Sequence, residues 1–297
     1  MPALNYAKQY SRELDQAYPF VLNFGDLYAT PNNGRYRWVN AKTIEIPTIT
    51  VGGRVNSDRD TIATATRNYD NSWEPKTLSN QRKWSTLVHP MDIDQTNMVT
   101  SIGNITQVYN EEQKFPEMDA YTISKLYADW KAAGGADITT ALTVENILTV
   151  FDKLMQDMDE ARVTPNGRIL YVTPATNTLI KQAKDIVRNY SVQDGSDVIR
   201  RAVTQLDQVK IVQVPSVLMK TLYDFTKGWK AGAGAKQIHM ALIHPGAVIT
   251  PVSYEFSQLD APSAVTEGKW IYFEESFEDV FILNQKKNGL AFVVEGA

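Results

Sequence analysis

The stretch KFPEMDAYTISKLYADWKAAGG at 114–135 decides how the rest of the chain is read. Its period is helical: Ile123, Leu126, Tyr127 and Trp130 fall at i, i+3, i+4 and i+7, which gathers them into one buried stripe. Pro116 suits a first turn, where its missing N–H is not needed. Glu117 and Asp119 suit the positive N-terminal end, and Gly134-Gly135 stops the helix.

Downstream, a second amphipathic helix is expected over 143–161, starting at Thr143, with Val144, Ile147, Leu148, Phe151, Leu154, Met155 and Met158 on one face. TPNG at 164–167 turns the chain into RILYVT, an apolar run of the kind buried on both faces, and Pro174 opens a further helix through Leu179, Ile180 and Ala183. With strands VKIVQV (209–214) and IHMALI (238–243), this describes an α/β layer around a mostly buried sheet. YEFSQL, KWIYFEESFEDVFIL and LAFVVE read as antiparallel strands, with NQKKNG (284–289) as the last hairpin turn.

Upstream, residues 37–90 alternate apolar and polar side chains in KTIEIPTITV and are rich in Thr, Asn, Arg and Trp, with Gly52-Gly53 between two β-compatible runs. Such a stretch has too few aliphatic residues for a core of its own. It reads as a long hairpin that finds its partners elsewhere, in the same chain or in a neighbouring subunit. Residues 1–36, with a helix-compatible piece around Ala7 to Tyr18 and a PNNG turn at 31–34, read as an arm.

The 297 residues are 43% hydrophobic, which excludes general disorder. With 30 Lys plus Arg against 34 Asp plus Glu, the formal charge is −4, unlike a surface built to wrap DNA. There is no cysteine, hence no disulfide framework, thiolate zinc site or cysteine nucleophile. Charges at Lys8, Arg12, Glu13 and Asp15 interrupt any signal-peptide core, and no run approaches a membrane span, so a soluble protein made in a cytoplasm is expected.

Chemical motifs are sparse. His239 and His244 are five apart and point to opposite faces of a regular strand, and His89 is remote in sequence. DIDQTN (92–97) has alternate carboxylates but lacks the glycine and closing glutamate of a calcium loop, so a solvated turn is expected. KAGAGAK (230–236) fits neither a dinucleotide fingerprint nor a phosphate loop and reads as flexible. Glu274, Glu275, Glu278 and Asp279 read as a solvated sheet face, and Lys181, Lys184, Arg188, Arg200 and Arg201 as an ordinary charged helix face. No catalytic, metal or cofactor site is assigned.

Several separate stretches resemble the major capsid protein of tailed bacteriophages, especially those of Gram-positive hosts. FPEMDAYTISKLYADW (115–130) is similar to the start of that family's long spine helix, and QRKWSTLVHPMDIDQTN (81–97) to the returning arm of its extended loop. The run 142–183 resembles the helix, strand and helix of the axial domain. QVKIVQVPSVLM (208–219), HMALIHPGAVITPV (239–252) and SFEDVFILNQKKNGLAFVV (276–294) resemble later segments, and LNYAKQYSRELDQAY (4–18) the N-terminal arm. The order and spacing of these stretches over nearly the whole chain make the match specific.

The resemblance implies an α+β fold with an N-arm (1–36), an extended β-hairpin loop (37–90), a peripheral domain (91–136 and 246–297) holding a spine helix at 115–133, and an α/β axial domain (137–245). It implies a structural, non-enzymatic protein. Pentamers and hexamers would form an icosahedral shell, with T=7 expected, around double-stranded DNA; portal and head completion proteins would be partners, and a membrane would not. Because LNYAKQY follows Met1 so closely, a separate scaffolding protein is expected in place of a fused one. A nanocompartment shell of the same fold and an α/β enzyme are the alternatives. Arg54, Arg59, Arg67, Trp73 and Trp84 are the expected contacts to neighbouring subunits, against acids such as Glu274, Glu275 and Glu278. Some members of the family join a loop lysine to an asparagine covalently. Lys76 and Lys83, with Asn284 and Asn288, have the right types here, but no cross-link is expected.

Overall fold

The computed structural model describes residues 22–56, 67–95, 101–183 and 203–296. The chain enters through a short turn of helix, α1 (Gly25–Tyr28), in which Leu27 is fully buried, as is Phe24 just before it. Strands β1 (Arg37–Asn40), β2 (Thr43–Val51) and β3 (Tyr69–Thr77) then form an antiparallel sheet of three, in that order. β2 and β3 pair without interruption from Thr43↔Thr77 to Val51↔Tyr69. Gly52-Gly53 therefore stands at the mouth of a longer loop; Gly52 donates its N–H to the Asn68 carbonyl at 2.7 Å and closes the ladder.

The next strand, β4 (Gln81–Val88), leaves the hairpin and pairs with a strand from late in the chain, Trp270–Glu278. After it comes α2 (Pro90–Gln95), so the start of DIDQTN is helical and not the solvated turn expected; its last two residues lie outside the described ones. The long helix also begins earlier than its sequence indicates. α3 (Ile102–Tyr109), capped by the Ser101 hydroxyl, runs through a π turn (Asn110–Lys114) into α4 (Phe115–Ala132). Pro116 cannot donate the bond a helix interior requires. The wider turn before it, with Phe115 N–H on the Asn110 carbonyl, opens the ladder where that bond would be missing. At the far end the expected stop is present: Gly134, at φ +90°, and Gly135 donate to the carbonyls of Lys131 and Trp130, closing the helix with a Schellman motif.

The remaining elements are α5 (Ile147–Glu160), β5 (Ile169–Val172), α6 (Pro174–Gln182), β6 (Gln205–Leu206), β7 (Val209–Gln213), β8 (Tyr223–Asp224), β9 (Lys230–Ala231), β10 (Ile238–Ile243), β11 (Val248–Ile249), β12 (Val252–Asp260), β13 (Trp270–Glu278), β14 (Phe281–Ile282) and β15 (Leu290–Val294). KAGAGAK thus opens on a strand, β9, that pairs with β8. The central sheet has the order β15-β10-β5-β7-β6, with β5 and β7 parallel across α6. It is covered on both sides, as the apolar character of RILYVT anticipates. Ile169 and Tyr171 face a core with Ile123, Leu126 and Trp130 of α4, while Leu170 and Val172 face Phe151, Leu154 and Met158 of α5. Each such side chain contributes roughly 1.5–3 kcal/mol on burial, so the sheet is the anchor of the molecule.

NQKKNG is not a hairpin turn. It forms 3-10 turns at Asn284–Gly289, because β14 pairs with β11 and β15 with β10. The chain passes between two sheets there and does not reverse within one. Gly289 lacks a positive φ; its missing side chain matters instead, since a Cβ would lie 2.8 Å from that of Ala247.

Candidate functional site: the outlying hairpin and its charged root

Only the root of the β2–β3 hairpin is buried. Ile44 and Ile46 pack with Leu78, Ile249, Phe277 and Phe281, at the edge of the body. Beyond Pro47 the apolar side chains change to the other face of the strand, at Ile49 and Val51, and nothing in the described chain covers them. Ile49 is 72% exposed, Val51 75% and Val55 91%. From Ile46 to Val51 the strand runs about 17 Å, so the hairpin carries Val51 and the loop beyond it away from its own core. Cross-strand polar pairs hold it together in water: Thr48 and Ser72 hydroxyls meet at 2.6 Å, and Arg37 donates to Glu45 directly opposite.

The expected contact residues separate into two groups. Arg54 is exposed in the loop, and Arg67 bonds the Tyr69 carbonyl and Asp70 at the same end; Arg59 lies outside the described residues. Trp73 is 41% exposed on the hairpin, its ring covered on one side by the Arg37 guanidinium at 3.9 Å. Trp84 sits elsewhere, on β4, stacked on Tyr109 with ring centroids 3.9 Å apart and close to Tyr272.

Beneath Trp84, β4 and β13 meet the long helix through ion pairs. Arg82 donates to Glu117 at 2.6 Å and to the Phe225 carbonyl, and Lys114 of the π turn pairs with Glu274 at 3.3 Å. Glu275 accepts from Gln81, in register with Lys83 on the opposite face. Burial pushes the Glu278 carboxyl up; Lys114 opposes that shift and Glu255, Asp279 and Glu117 add to it. Asp279 is not on a solvated face, as expected, but fully buried. It accepts from Ser79, Tyr121 and the Val280 N–H, tying the hairpin's exit to the long helix.

A second buried carboxylate, Asp119, has the same office for the entry of the chain. It accepts from the Asn23 backbone and side chain and from the Phe24 N–H. Burial outweighs these three bonds and pushes its pKa up to about 6. In the sequence Asp119 reads as a helix-terminus charge. Its partner ninety-odd residues away leaves no local signal.

Lys76 and Asn284 come together in one chain. The Lys76 ammonium lies 3.2 Å from the Asn284 Oδ1 and 2.8 Å from Glu74, which also accepts from the Asn284 amide. His89 accepts from the Met91 N–H, and His244 accepts from the Gly246 N–H while its other nitrogen meets the Asn166 carbonyl. Among the described residues no group of three or more ionisable side chains is placed to hold a metal ion, and no helix is long and apolar enough to cross a membrane. The basic run 184–202 lies outside the described residues.

No family profile and no curated protein matches the chain. Solved structures do. A chain in the capsid of cyanophage P-SCSP1u superposes with a TM-score of 0.67 at 11% identity, over 98% of this chain and 93% of that one. One from the mature capsid of bacteriophage PhiM1 gives 0.65 at 14% identity, over 97% and 91%. A chain from Mycobacterium phage Che8 gives 0.58 at 12%, over 97% and 96%. The likeness spans almost the full length of both partners in every case.

Proposed function

We propose that this chain, which has the fold of these phage capsid chains, is a major capsid protein. Its copies assemble into pentamers and hexamers of an icosahedral shell, T=7 in our reading, around packaged double-stranded DNA. The observation that carries the reading is the hairpin: a sequence that spends strand-forming apolar residues on a surface its own body leaves uncovered is built for a second copy. The near-complete structural overlap with chains of two named capsids supports the same conclusion. A structural role without catalysis fits it.

In this reading Ile49, Val51, Val55 and Trp73 supply contact area on the neighbour. Arg54, Arg59 and Arg67 set registry against acids such as Glu275, and against Glu274 and Glu278 where those can exchange their own-chain environment for a neighbour's arginine. A separate scaffolding protein directs curvature, and portal and head completion proteins join the shell. Negative-stain microscopy of the expressed chain, with and without a co-expressed scaffold, tests this. Shells or tubes are expected, aberrant in size without the scaffold. A species that remains monomeric at every concentration would overturn it, and shells that enclose protein cargo and no nucleic acid would point to a nanocompartment.

A further inference from the structure

A crevice of about 290 Å³ lies where the hairpin meets the body. One wall is Ile46, Pro47 and Thr48 of β2; the other is Ile249 and the segment from Leu283 to Lys286. Tyr36 also lines it, and burial pushes its phenol pKa up. Ile46, Pro47, Ile49, Ile249, Leu283 and the Tyr36 ring supply its apolar surface, and Asn32, Thr48, Asn284 and Gln285 add uncharged polar groups. Arg35 and Lys286 stand at the solvent side, both exposed. The Lys286 ammonium donates to the Gly246 carbonyl, whereas the Arg35 side chain has no partner among the described residues. The single carboxylate in the lining, Glu74, is already held by Lys76 and Asn284.

We propose that this crevice is a binding site for a small amphiphile with an apolar body and a carboxylate head, of the class of medium-chain fatty acids. The body fills the space between Ile46, Ile249, Leu283 and Tyr36, and the head meets Arg35 with Lys286 beside it. An apolar pocket with a few convergent polar groups is the usual form of a small-molecule site. Two cations at its mouth, against one neutralised acid, select the sign of the head group. A neutral or cationic amphiphile would leave the guanidinium unpaired. The walls belong to two different parts of the molecule, hairpin and body, so an occupant bridges them and holds the hairpin at one angle. The site requires only the single chain and is independent of whether that chain builds a shell.

The test is a titration of the purified full-length chain with octanoate and, separately, with octanol, followed by calorimetry and by amide hydrogen exchange. Saturable binding of octanoate at one site is expected, about tenfold or more tighter than octanol, the scale of one charge-assisted hydrogen bond. Arg35→Gln should remove that preference and leave octanol unchanged, while Arg35→Lys should keep most of it. Exchange should slow in β2 and β3 beyond Pro47 when octanoate is bound. Equal affinity for the two ligands, octanoate binding indifferent to Arg35→Gln, or no saturable binding would each overturn the proposal. None of these results bears on particle formation, so microscopy of the same preparation keeps the two readings apart.

Discussion

Trp84 lies nearly parallel on Tyr109, with 7° between the ring planes and 3.9 Å between centroids. This stack joins β4 to the helix just ahead of the π turn, above the Lys114–Glu274 pair. Trp73, by contrast, stands 41% exposed opposite Pro47, with the Arg37 guanidinium of β1 over its ring. Trp84→Ala should therefore lower the unfolding free energy of the isolated chain by about 2–3 kcal/mol, toward the range for buried aromatic truncations. Trp73→Ala should cost less than about 1 kcal/mol there, yet weaken assembled particles. Urea titrations of both variants, as subunits and as particles, separate the two roles. An isolated Trp73→Ala chain as unstable as the Trp84 variant would place Trp73 in the intrachain fold.

The buried carboxyls predict an unusual pH dependence. Asp119 has a folded pKa of about 6, raised from 3.8, and Asp129 and Glu278 shift in the same direction. A carboxyl raised on folding binds its proton more tightly in the native state. Its contribution to stability is thus complete below the unfolded value and is lost as pH rises through the folded one. Between pH about 4 and about 6 the subunit should become more stable on acidification, by a few kcal/mol at most from Asp119. Asp119→Asn should flatten that slope. A wild-type urea midpoint that falls steadily over the same interval would contradict the assignment.

Lys76 and Asn284 should remain separate side chains. An amide could form only if a neutral amine attacked the Asn284 carboxamide carbon and released ammonia. The amine here is half-buried and paired with Glu74 at 2.8 Å, which directs its protons at a carboxylate and not its lone pair at the amide carbon. The denatured chain should have the mass its sequence specifies, and mature particles should run as monomers on a denaturing gel. Loss of one ammonia, or a ladder of oligomers, would refute this.

Gly135→Ala tests the close of the long helix. The added Cβ would lie 2.3 Å from the Trp130 ring, which is buried against Phe292 and cannot swing away freely. Overpacking of this kind costs about 1–3 kcal/mol, and the melting temperature should fall accordingly. A neutral result would show that Trp130 has another rotamer available.

The helical stripe through Trp130, the apolar face from Ile147 to Met158 and the two-sided burial of Ile169–Val172 were all legible because each has a period that only one arrangement satisfies. Connections were less legible. NQKKNG has the composition of a tight turn, and whether it reverses the chain or carries it to another sheet depends on which strands β14 and β15 pair with, a non-local fact. The π turn was hidden for a related reason: Pro116 fits a first turn and an interrupted interior equally well until the residues before it are known to be helical. Asp119 and Asp279 look like surface acids because their donors, Asn23 and Tyr121 among them, come from distant segments. The exposed end of the hairpin was anticipated by its composition, since too few aliphatic residues were present to cover it.

The strand β15 contributes Phe292 to the core on one side of the central sheet and Val293 to the core on the other, and Phe24 and Leu27 from the opposite end of the chain share the first of these. Neither core is complete without β15. A nascent or prematurely terminated chain therefore lacks the support on which the hairpin root and the long helix rest. A single cut ahead of β15 should loosen both faces of the central sheet at once, because Phe292 and Val293 leave together.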